Sequence, residues 1–164
     1  MDILFKTDAF IFSYRVGGIL IQNDKILLQR PVGDDYAIPG GHVAGLETTA
    51  DTLRRELEEE LHVRAEVGDL LAVGEIFFPW GSKSCHQICL YYYVSLPDGG
   101  IPADGIFHGY DELDRERIDL DFCWVPLEEL RGGLTVYPKE LIPYILNPRK
   151  ETVHFVSKQI RMEP

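Results

Sequence analysis

The sequence predicts an α/β fold in which helices pack on a mixed β-sheet. Three observations support this prediction. Segments rich in β-branched and aromatic residues recur along the chain and are separated by turn residues. One central segment, residues 48–61, carries apolar residues at helical spacing. A second helical segment follows late, at residues 138–146, and this alternation of strands and helices is typical of an α/β sandwich.

The predicted strands follow one another along the chain. Residues 16–21 and 26–28 are expected to form a hairpin, because Asn23-Asp24 between them is a favourable turn pair. Further strands are expected at residues 67–78, 88–94 and 152–156. A length of 164 residues and a hydrophobic content of 45% are ordinary for a globular domain, so we expect one domain over residues 1–164.

The central helix is predicted from its cap and from its apolar stripe. Thr48 is expected to be the N-cap, and Asp51 three residues later completes a capping box. Apolar residues then recur at spacings of three and four, which places them on one face of the helix. This stripe consists of Ala50, Leu53, Leu57 and Leu61.

Four glutamates crowd into residues 56–60, near the end of this helix. Glu56, Glu59 and Glu60 share one strip beside the apolar stripe, whereas Glu58 points toward solvent. Like charges at this spacing cost a helix about 0.2–0.5 kcal/mol per pair, and the negative end of the helix dipole is unfavourable for them too. An acidic run is commonly a solvated helix face. A bound Mg²⁺ or Mn²⁺ would remove the conflict, because hard cations bind carboxylate oxygens.

Residues 41–63 resemble the Nudix box, the signature of the Nudix hydrolase family. The pattern is Gly, five residues, Glu, seven residues, then Arg-Glu-aliphatic-any-Glu-Glu-any-Gly-aliphatic. The chain matches it from Gly41 to Val63 at every defined position except His62, where the family has Gly. That Gly ends the helix in a left-handed conformation, and we expect His62 to adopt it at a strain of about 1–2 kcal/mol.

The resemblance extends beyond the box and implies a fold and an activity. Residues 36–41 resemble the short strand and glycine turn that precede the box, and residues 124–130 resemble a late strand that runs into a short helix. The family fold is an α/β/α sandwich with a mixed β-sheet, which agrees with the pattern of strands and helices. Its members use Mg²⁺ or Mn²⁺ when water attacks a nucleoside diphosphate linked to another moiety.

The resemblance also implies which residues bind metal. Glu56, Glu59 and Glu60 are the expected ligands, and the carbonyl of Gly41 is an additional one. Arg55 matches the family's arginine. We expect it to orient a glutamate by a bidentate contact rather than to touch substrate.

The remaining catalytic roles stay open. Glu47 matches the family's first glutamate, which either supports the ligands from behind or is an ordinary acid near a helix start. The general base is a glutamate of the box, such as Glu59, or an acid of a later loop, such as Glu112 or Glu116. That loop is acidic enough to be merely solvated.

The substrate is not fixed by the sequence, and both nucleotide sugars such as ADP-ribose and nucleoside triphosphates are candidates. Pro79 lies sixteen residues after Val63, and a proline near that distance marks many ADP-ribose pyrophosphatases of the family. Candidates for stacking on a base are Trp80, Phe12, Tyr14 and Tyr36. Candidates for phosphate or site contacts are Arg15, Arg30, Lys83 and His42.

The net charge of −11 argues against nucleic acids and anionic membranes as partners. Divalent ions at the acidic site would reverse the local sign, so that a phosphorylated small molecule could bind. The alternative function is a non-hydrolytic nucleotide-binding or regulatory module. A third is an acidic structural domain without a ligand. The intact glutamates favour hydrolysis, because a pure binding module has no need of them.

The cysteines and the N-terminal segment suggest a location and an assembly. Cys85, Cys89 and Cys123 suit a reducing compartment, and no second Cys or His pair completes a zinc site, so we expect buried free thiols. The start of the chain lacks the features of a signal peptide, and a cytoplasmic location is expected. The apolar residues 9–12 are predicted as an edge strand, which would allow a homodimer.

Overall fold

The polypeptide forms eleven strands and three helices within residues 1–31, 35–99, 101, 106–113 and 116–160, which are the residues that this computed structural model describes. The strands are β1 (Leu4–Lys6), β2 (Phe10–Gln22), β3 (Lys25–Pro31), β4 (Tyr36–Ala37), β5 (Gly40–His42), β6 (Glu66–Trp80), β7 (Lys83–Ser95), β8 (Ile106–Leu113), β9 (Glu116–Pro126), β10 (Val136–Tyr137) and β11 (Val153–Lys158). The helices are α1 (Thr49–Leu61), α2 (Leu127–Arg131) and α3 (Ile142–Leu146), with a 3-10 turn, Lys139–Leu141, before α3.

The strands form a mixed sheet with β2 at its centre. Hydrogen bonds join neighbours in the order β10–β4–β3–β2–β7–β6–β11. The pairs β2–β7, β6–β11 and β4–β10 are parallel, and the other pairs along this path are antiparallel. β1 and β5 also pair with β2, and the β8–β9 hairpin joins the sheet through β3. The predicted mixed sheet is confirmed.

Helices pack on the sheet around two apolar cores. The first core joins α1 to the sheet and includes Leu53, Leu57, Val16, Leu20 and Leu27. The second core joins α2 and α3 to the sheet and includes Leu130, Ile145, Ile26, Leu28 and Phe155. The predicted α/β/α sandwich is thereby confirmed. None of the described helices is long and apolar enough to cross a membrane.

The predicted hairpin and the predicted strands are present. The β2–β3 turn lies at Asn23 and Asp24, whose φ angles of 50° and 58° are the positive values that a two-residue hairpin turn requires. Residues 67–78 lie within one strand, β6. Its pairing with β7 shifts register between Val67 and Ala72, so the strand is irregular near its start.

The late helical segments also agree with the sequence. Strand β9 runs directly into α2, as residues 124–130 predicted. Residues 138–146 divide into the 3-10 turn and α3 rather than one helix. Pro143 explains the division, because it has no N–H to bond the carbonyl of Lys139 in a continuous α-helix.

Both ends of α1 are capped as predicted. The Thr48 hydroxyl oxygen accepts a hydrogen bond from the backbone N–H of Asp51 at 3.1 Å. The same hydroxyl donates to the Asp51 carboxylate at 2.7 Å. At the other end, His62 has φ 56° and ψ 33°, the left-handed conformation, and its N–H donates to the carbonyl of Glu58.

Two predictions about chain segments are wrong. Residues 9–12 do not form an edge strand, because Phe10 to Phe12 belong to β2, which pairs with β7 on one side and with β1 on the other. The predicted acidic loop containing Glu112 and Glu116 is mostly the β8–β9 hairpin, in which Glu112 pairs with Arg117 and Leu113 with Glu116. Regular pairing with neighbouring strands overrode both assignments.

Replacing His62 by glycine should stabilise the protein. The left-handed backbone strains a residue with a Cβ, and relief of that strain should raise the free energy of unfolding by about 0.5–1 kcal/mol after the extra entropy of glycine in the unfolded chain is subtracted. The melting temperature should rise by about 1–4 °C. The exposed helical residue Glu58 is the control, because Glu58→Gly should lower stability by about 1 kcal/mol. A lower melting temperature for His62→Gly would contradict this account of the helix end.

Candidate active site

Strand β5, which precedes α1, begins with two consecutive glycines where a side chain has no room. Gly40 and Gly41 lie in β5, which pairs with β2. A Cβ at Gly40 would collide with the carbonyl of Val16, and a Cβ at Gly41 would collide with the carboxylate of Glu56. The glycine turn therefore brings the backbone of residue 41 against the first glutamate of the acidic strip.

Arg55 connects the glutamates of this region. Its Nη2 and Nε atoms contact the Glu47 carboxylate at 3.1 and 3.3 Å. Its Nη1 atom donates to Glu56 at 2.8 Å and to Glu59 at 3.2 Å. Glu47 also accepts a hydrogen bond from the Thr52 hydroxyl at 2.8 Å. One guanidinium thus fixes three of the carboxylates that the sequence singled out.

These contacts favour the charged form of both partners. Hydrogen bonds from Arg55, and then from Thr52, hold the pKa of Glu47 below its ordinary value. Burial opposes the charge of Arg55, but the bonds to Glu47 and the charge of Glu56 raise the pKa of Arg55 above its usual range. Glu47 and Arg55 therefore stay ionised at neutral pH.

Arg55 relieves part of the repulsion among the glutamates. Its ion pairs with Glu47, Glu56 and Glu59 supply positive charge from within the chain, where the sequence predicted a cation for this purpose. Repulsion among the glutamates is therefore a weaker indication of metal than the sequence suggested.

Glu56, Glu60 and the backbone of Gly41 provide oxygens that suit a hard divalent cation. The Glu56 side chain is 14% exposed, and both carboxylate oxygens of Glu60 are shielded from solvent. Glu59 is 62% exposed and contacts Arg55. Among the residues described, no three His, Cys, Asp or Glu side chains are grouped as metal ligands. Mg²⁺ commonly uses only one or two carboxylates, with waters and substrate phosphates completing its shell, so the oxygens present fit such an ion.

The candidates for the general base lie in different places. Glu59 is on α1 beside Arg55 and open to solvent. Glu112 lies in β8 and Glu116 begins β9. The side chains of Glu112 and Glu116 fall outside the part of the chain that the structure describes. Strand β8 does contact α1, so this hairpin lies next to the helix that carries the acids.

A cleft of about 210 Å³ is lined by residues of β2, β3, β4, β6, β7 and β10 and by residues that directly follow β4, β10 and β11. Its polar lining residues are Arg15, Gln29, Gln87 and Gln159. Its aromatic lining residues are Phe78, Tyr91 and Tyr137. A cleft with apolar walls and a few polar groups is typical of a small-molecule site.

Arg15 joins this cleft to the acidic strip. Arg15 lines the cleft, and its Nη2 atom donates to the carbonyl of Gly40 at 3.1 Å. The next residue, Gly41, packs against Glu56. A molecule in the cleft would therefore lie close to the carboxylates, with only the glycine turn between them.

The sequence identified only part of the cleft. Of the residues named as candidates for substrate contact, Arg15 lines it, and Trp80 stacks on the lining residue Phe78 with ring centroids 6.0 Å apart. Phe12 instead packs against Phe5, and Arg30 lies over Tyr36. The remaining named candidates lie apart from the lining: Tyr14, Lys83, and His42, which is buried.

Gln29 and Gln87 were missed. Each is a buried polar residue within a strand that is otherwise mostly apolar. A polar residue inside an apolar strand was the available signal, but the alternation of an exposed strand produces the same pattern.

The three cysteines are free thiols, and Cys85 and Cys89 are buried, as predicted. Burial raises the pKa of each of these two thiols to about 11. Both are therefore protonated and unreactive at neutral pH. Cys89 also lines the cleft, where it contributes an apolar surface.

Comparison with solved structures shows where this fold has been seen. A UDP-X diphosphatase shares 23% identity with a TM-score of 0.55, over 91% of this chain and 68% of that chain. A mutator MutT protein from Bacillus halodurans shares 17% identity with a TM-score of 0.60, over 88% and 90%. An ADP-ribose pyrophosphatase from Streptococcus suis shares 17% identity with a TM-score of 0.51, over 87% and 98%. No curated protein matches the chain in sequence.

At these identities the solved structures establish the fold alone. Sequence comparison with protein families adds a match to the NUDIX domain over residues 12–145, which is most of the chain. That match includes the glycine turn, the Arg55 contacts, the acidic strip and most of the cleft. The chain belongs to the Nudix hydrolase family.

Proposed function

We propose that the chain forms one catalytic domain, residues 1–164, which hydrolyses a pyrophosphate bond in a nucleoside diphosphate linked to another moiety, with Mg²⁺ or Mn²⁺. The observation that carries this proposal is the link between the cleft and the acids. Arg15 lines the cleft and bonds Gly40, and Gly41 packs on Glu56. A nucleotide with its organic part in the cleft would then place its diphosphate beside the carboxylates.

Each acidic residue has a distinct role in this proposal. Glu56, Glu59, Glu60 and the Gly41 carbonyl are the proposed ligands of the cation, which would neutralise phosphate charge and make a water easier to ionise. Arg55 orients Glu56 through the 2.8 Å contact, and Glu47 holds Arg55 in place. These contacts keep the ligand side chain in one position before substrate arrives, which is how supporting residues tune a metal site.

Glu59 is our proposed proton acceptor. Its carboxylate is exposed, on the same helix as the ligands, and 3.2 Å from Arg55. From there it would take a proton from the attacking water onto a carboxylate oxygen. Glu112 and Glu116 on the neighbouring hairpin are the alternatives.

The substrate is a small nucleotide, and both an ADP-ribose or nucleotide-sugar type and a nucleoside triphosphate remain in the proposal. Proteins of similar fold include a UDP-X diphosphatase, an ADP-ribose pyrophosphatase and a MutT protein, which supports this range without choosing within it. The free thiols support the expected cytoplasmic location. Homodimer formation stays a prediction, although residues 9–12 are no longer its basis.

A substrate panel tests the activity. With Mg²⁺, we expect hydrolysis of at least one of ADP-ribose, UDP-glucose, dinucleoside diphosphates or nucleoside triphosphates, measured by chromatography of the nucleotide products. A chelator should abolish it. Tight binding of a nucleotide without turnover of any would favour the non-hydrolytic module instead.

Metal binding can be tested without a substrate. Magnesium at about a hundred times its dissociation constant should stabilise the fold by about 2.7 kcal/mol and raise the melting temperature by about 5–10 °C. Glu56→Gln should remove this shift, because it replaces a proposed ligand. Glu58→Gln should retain it, since Glu58 is exposed. An equal shift in both variants would show that the cation binds elsewhere.

Glu60→Gln tests the ligand assignment through catalysis. We expect kcat to fall by more than about 100-fold, because an amide binds a hard cation more weakly than a carboxylate does. The circular dichroism spectrum should be unchanged, since the side chain keeps its size. Glu58→Gln, which removes a charge two residues away, should stay active. Full activity of Glu60→Gln would mean that Glu60 is not a ligand.

A further inference from the structure

Gln29 has an unusual environment within the cleft. It lies in β3, where it pairs with Ala37 of β4 and Phe122 of β9. Its side chain is only 8% exposed, and its Oε1 atom has no hydrogen-bond partner among the described residues. Buried amide oxygens nearly always have a partner, so this one requires an explanation.

Two other polar residues of the cleft lining, Gln87 and the half-buried Arg15, are already engaged by the protein. Gln87 is 9% exposed, and its Oε1 atom accepts a hydrogen bond from the Ser13 hydroxyl at 3.3 Å. Arg15 donates to the carbonyl of Gly40. Gln29 thus carries the buried amide oxygen of the cleft lining for which the described residues provide no hydrogen-bond donor.

An unpaired buried acceptor weakens the fold, and an apolar residue of similar size would avoid that cost. Local conflicts of this kind are expected where a residue serves a function. A ligand N–H in the cleft would satisfy the Gln29 oxygen. A site with a buried polar group discriminates strongly against molecules that lack a hydrogen-bonding group to pair with it. An apolar pocket discriminates much less strongly against molecules of slightly different size.

We propose that Gln29 reads the nucleobase of the substrate and selects adenine. This inference rests on the proposed function, because it assigns the cleft to the nucleoside. A carboxamide presents a donor beside an acceptor, and glutamine forms paired hydrogen bonds with N6 and N7 of adenine. Guanine presents two acceptors, N7 and O6, along the corresponding edge, so the paired contact discriminates between the two bases when the cleft holds the base with its N7 edge toward Gln29. The Phe78 and Tyr137 rings in the lining supply apolar surface for a flat base.

Binding of mononucleotides without metal tests the selection independently of hydrolysis. We expect isothermal titration calorimetry to show that the protein binds AMP about 5- to 150-fold more tightly than GMP. Gln29→Leu should bring the two dissociation constants within about twofold of each other, by weakening AMP. Gln29→Met, which is unbranched, repeats the test if leucine does not fit the strand.

The thermal stability of the same variants separates a reading role from a structural one. Gln29→Leu should melt at the same temperature as the parent or higher, because it removes a buried amide oxygen that has no partner among the described residues. Gln87→Leu is the matched control. It should melt lower, because it deprives the Ser13 hydroxyl of its partner. A clear loss of stability in both Gln29 variants would make Gln29 a structural residue and overturn the proposal.

The outcomes for selection and for hydrolysis can be told apart. If no panel substrate is hydrolysed, the AMP preference and its loss in Gln29→Leu would still support the reading role. If hydrolysis occurs but the parent binds AMP and GMP equally, or binds neither, the base-reading proposal is overturned and the proposed activity stands. If Gln29→Leu still prefers AMP, other residues make the selection, and the base-reading proposal is again overturned.

Discussion

Strand β2 is the constraint on which both the core and the candidate site depend, because it pairs with four other strands and its two faces have different neighbours. Val16 and Leu20 point to α1 and help to fix the helix that carries the acids. Arg15 and Gly17 line the cleft. A Cβ at Gly17 would collide with the ring of Tyr91, so only glycine fits at this position of the strand. The period-two alternation of one strand thus sets the positions of the helix that carries the glutamates and of the proposed nucleotide cleft relative to each other.

The acidic strip shows how a charged site can be held ready before any ligand arrives. Arg55 neutralises Glu47, Glu56 and Glu59 in part, and so the helix is not left with unrelieved repulsion. The same contacts restrict the rotamers of these side chains. A cation arriving at Glu56 would meet a carboxylate that is already oriented, so that little further ordering is needed.

Local features were predictable from the sequence because their determinants lie within a few residues. Thr48 and Asp51 fixed the start of α1, Asn23 and Asp24 fixed the hairpin turn, and His62 took the left-handed conformation that its place in the box demands. The fold class followed from the order of such elements. The Nudix box predicted the family and identified the glutamates of the acidic strip.

The cleft was not predictable in the same way. Its walls come from β2, β3, β6 and β7, and only their register decides which alternate residues face inward. Gln29 and Gln87 became neighbours of one cavity through pairings between distant segments. Residues 9–12 were misassigned for a related reason: the partner of this segment, β7, is far away in the chain, and its apolar composition alone does not show on which edges it is covered.

The parallel pairing of β2 with β7 has a consequence for how the protein folds. Ser13 and Gln87, which touch in the finished sheet, are 74 positions apart in the chain. Contacts between such distant residues slow folding, since a long loop must close first. On the ribosome, one border of β2 can be covered early by β1 and β5, which are close in sequence, while the other waits for β7 to be synthesised. Until then this edge of β2 stays unpaired in the nascent chain. An unpaired strand edge favours aggregation, so the chain is most vulnerable during this interval.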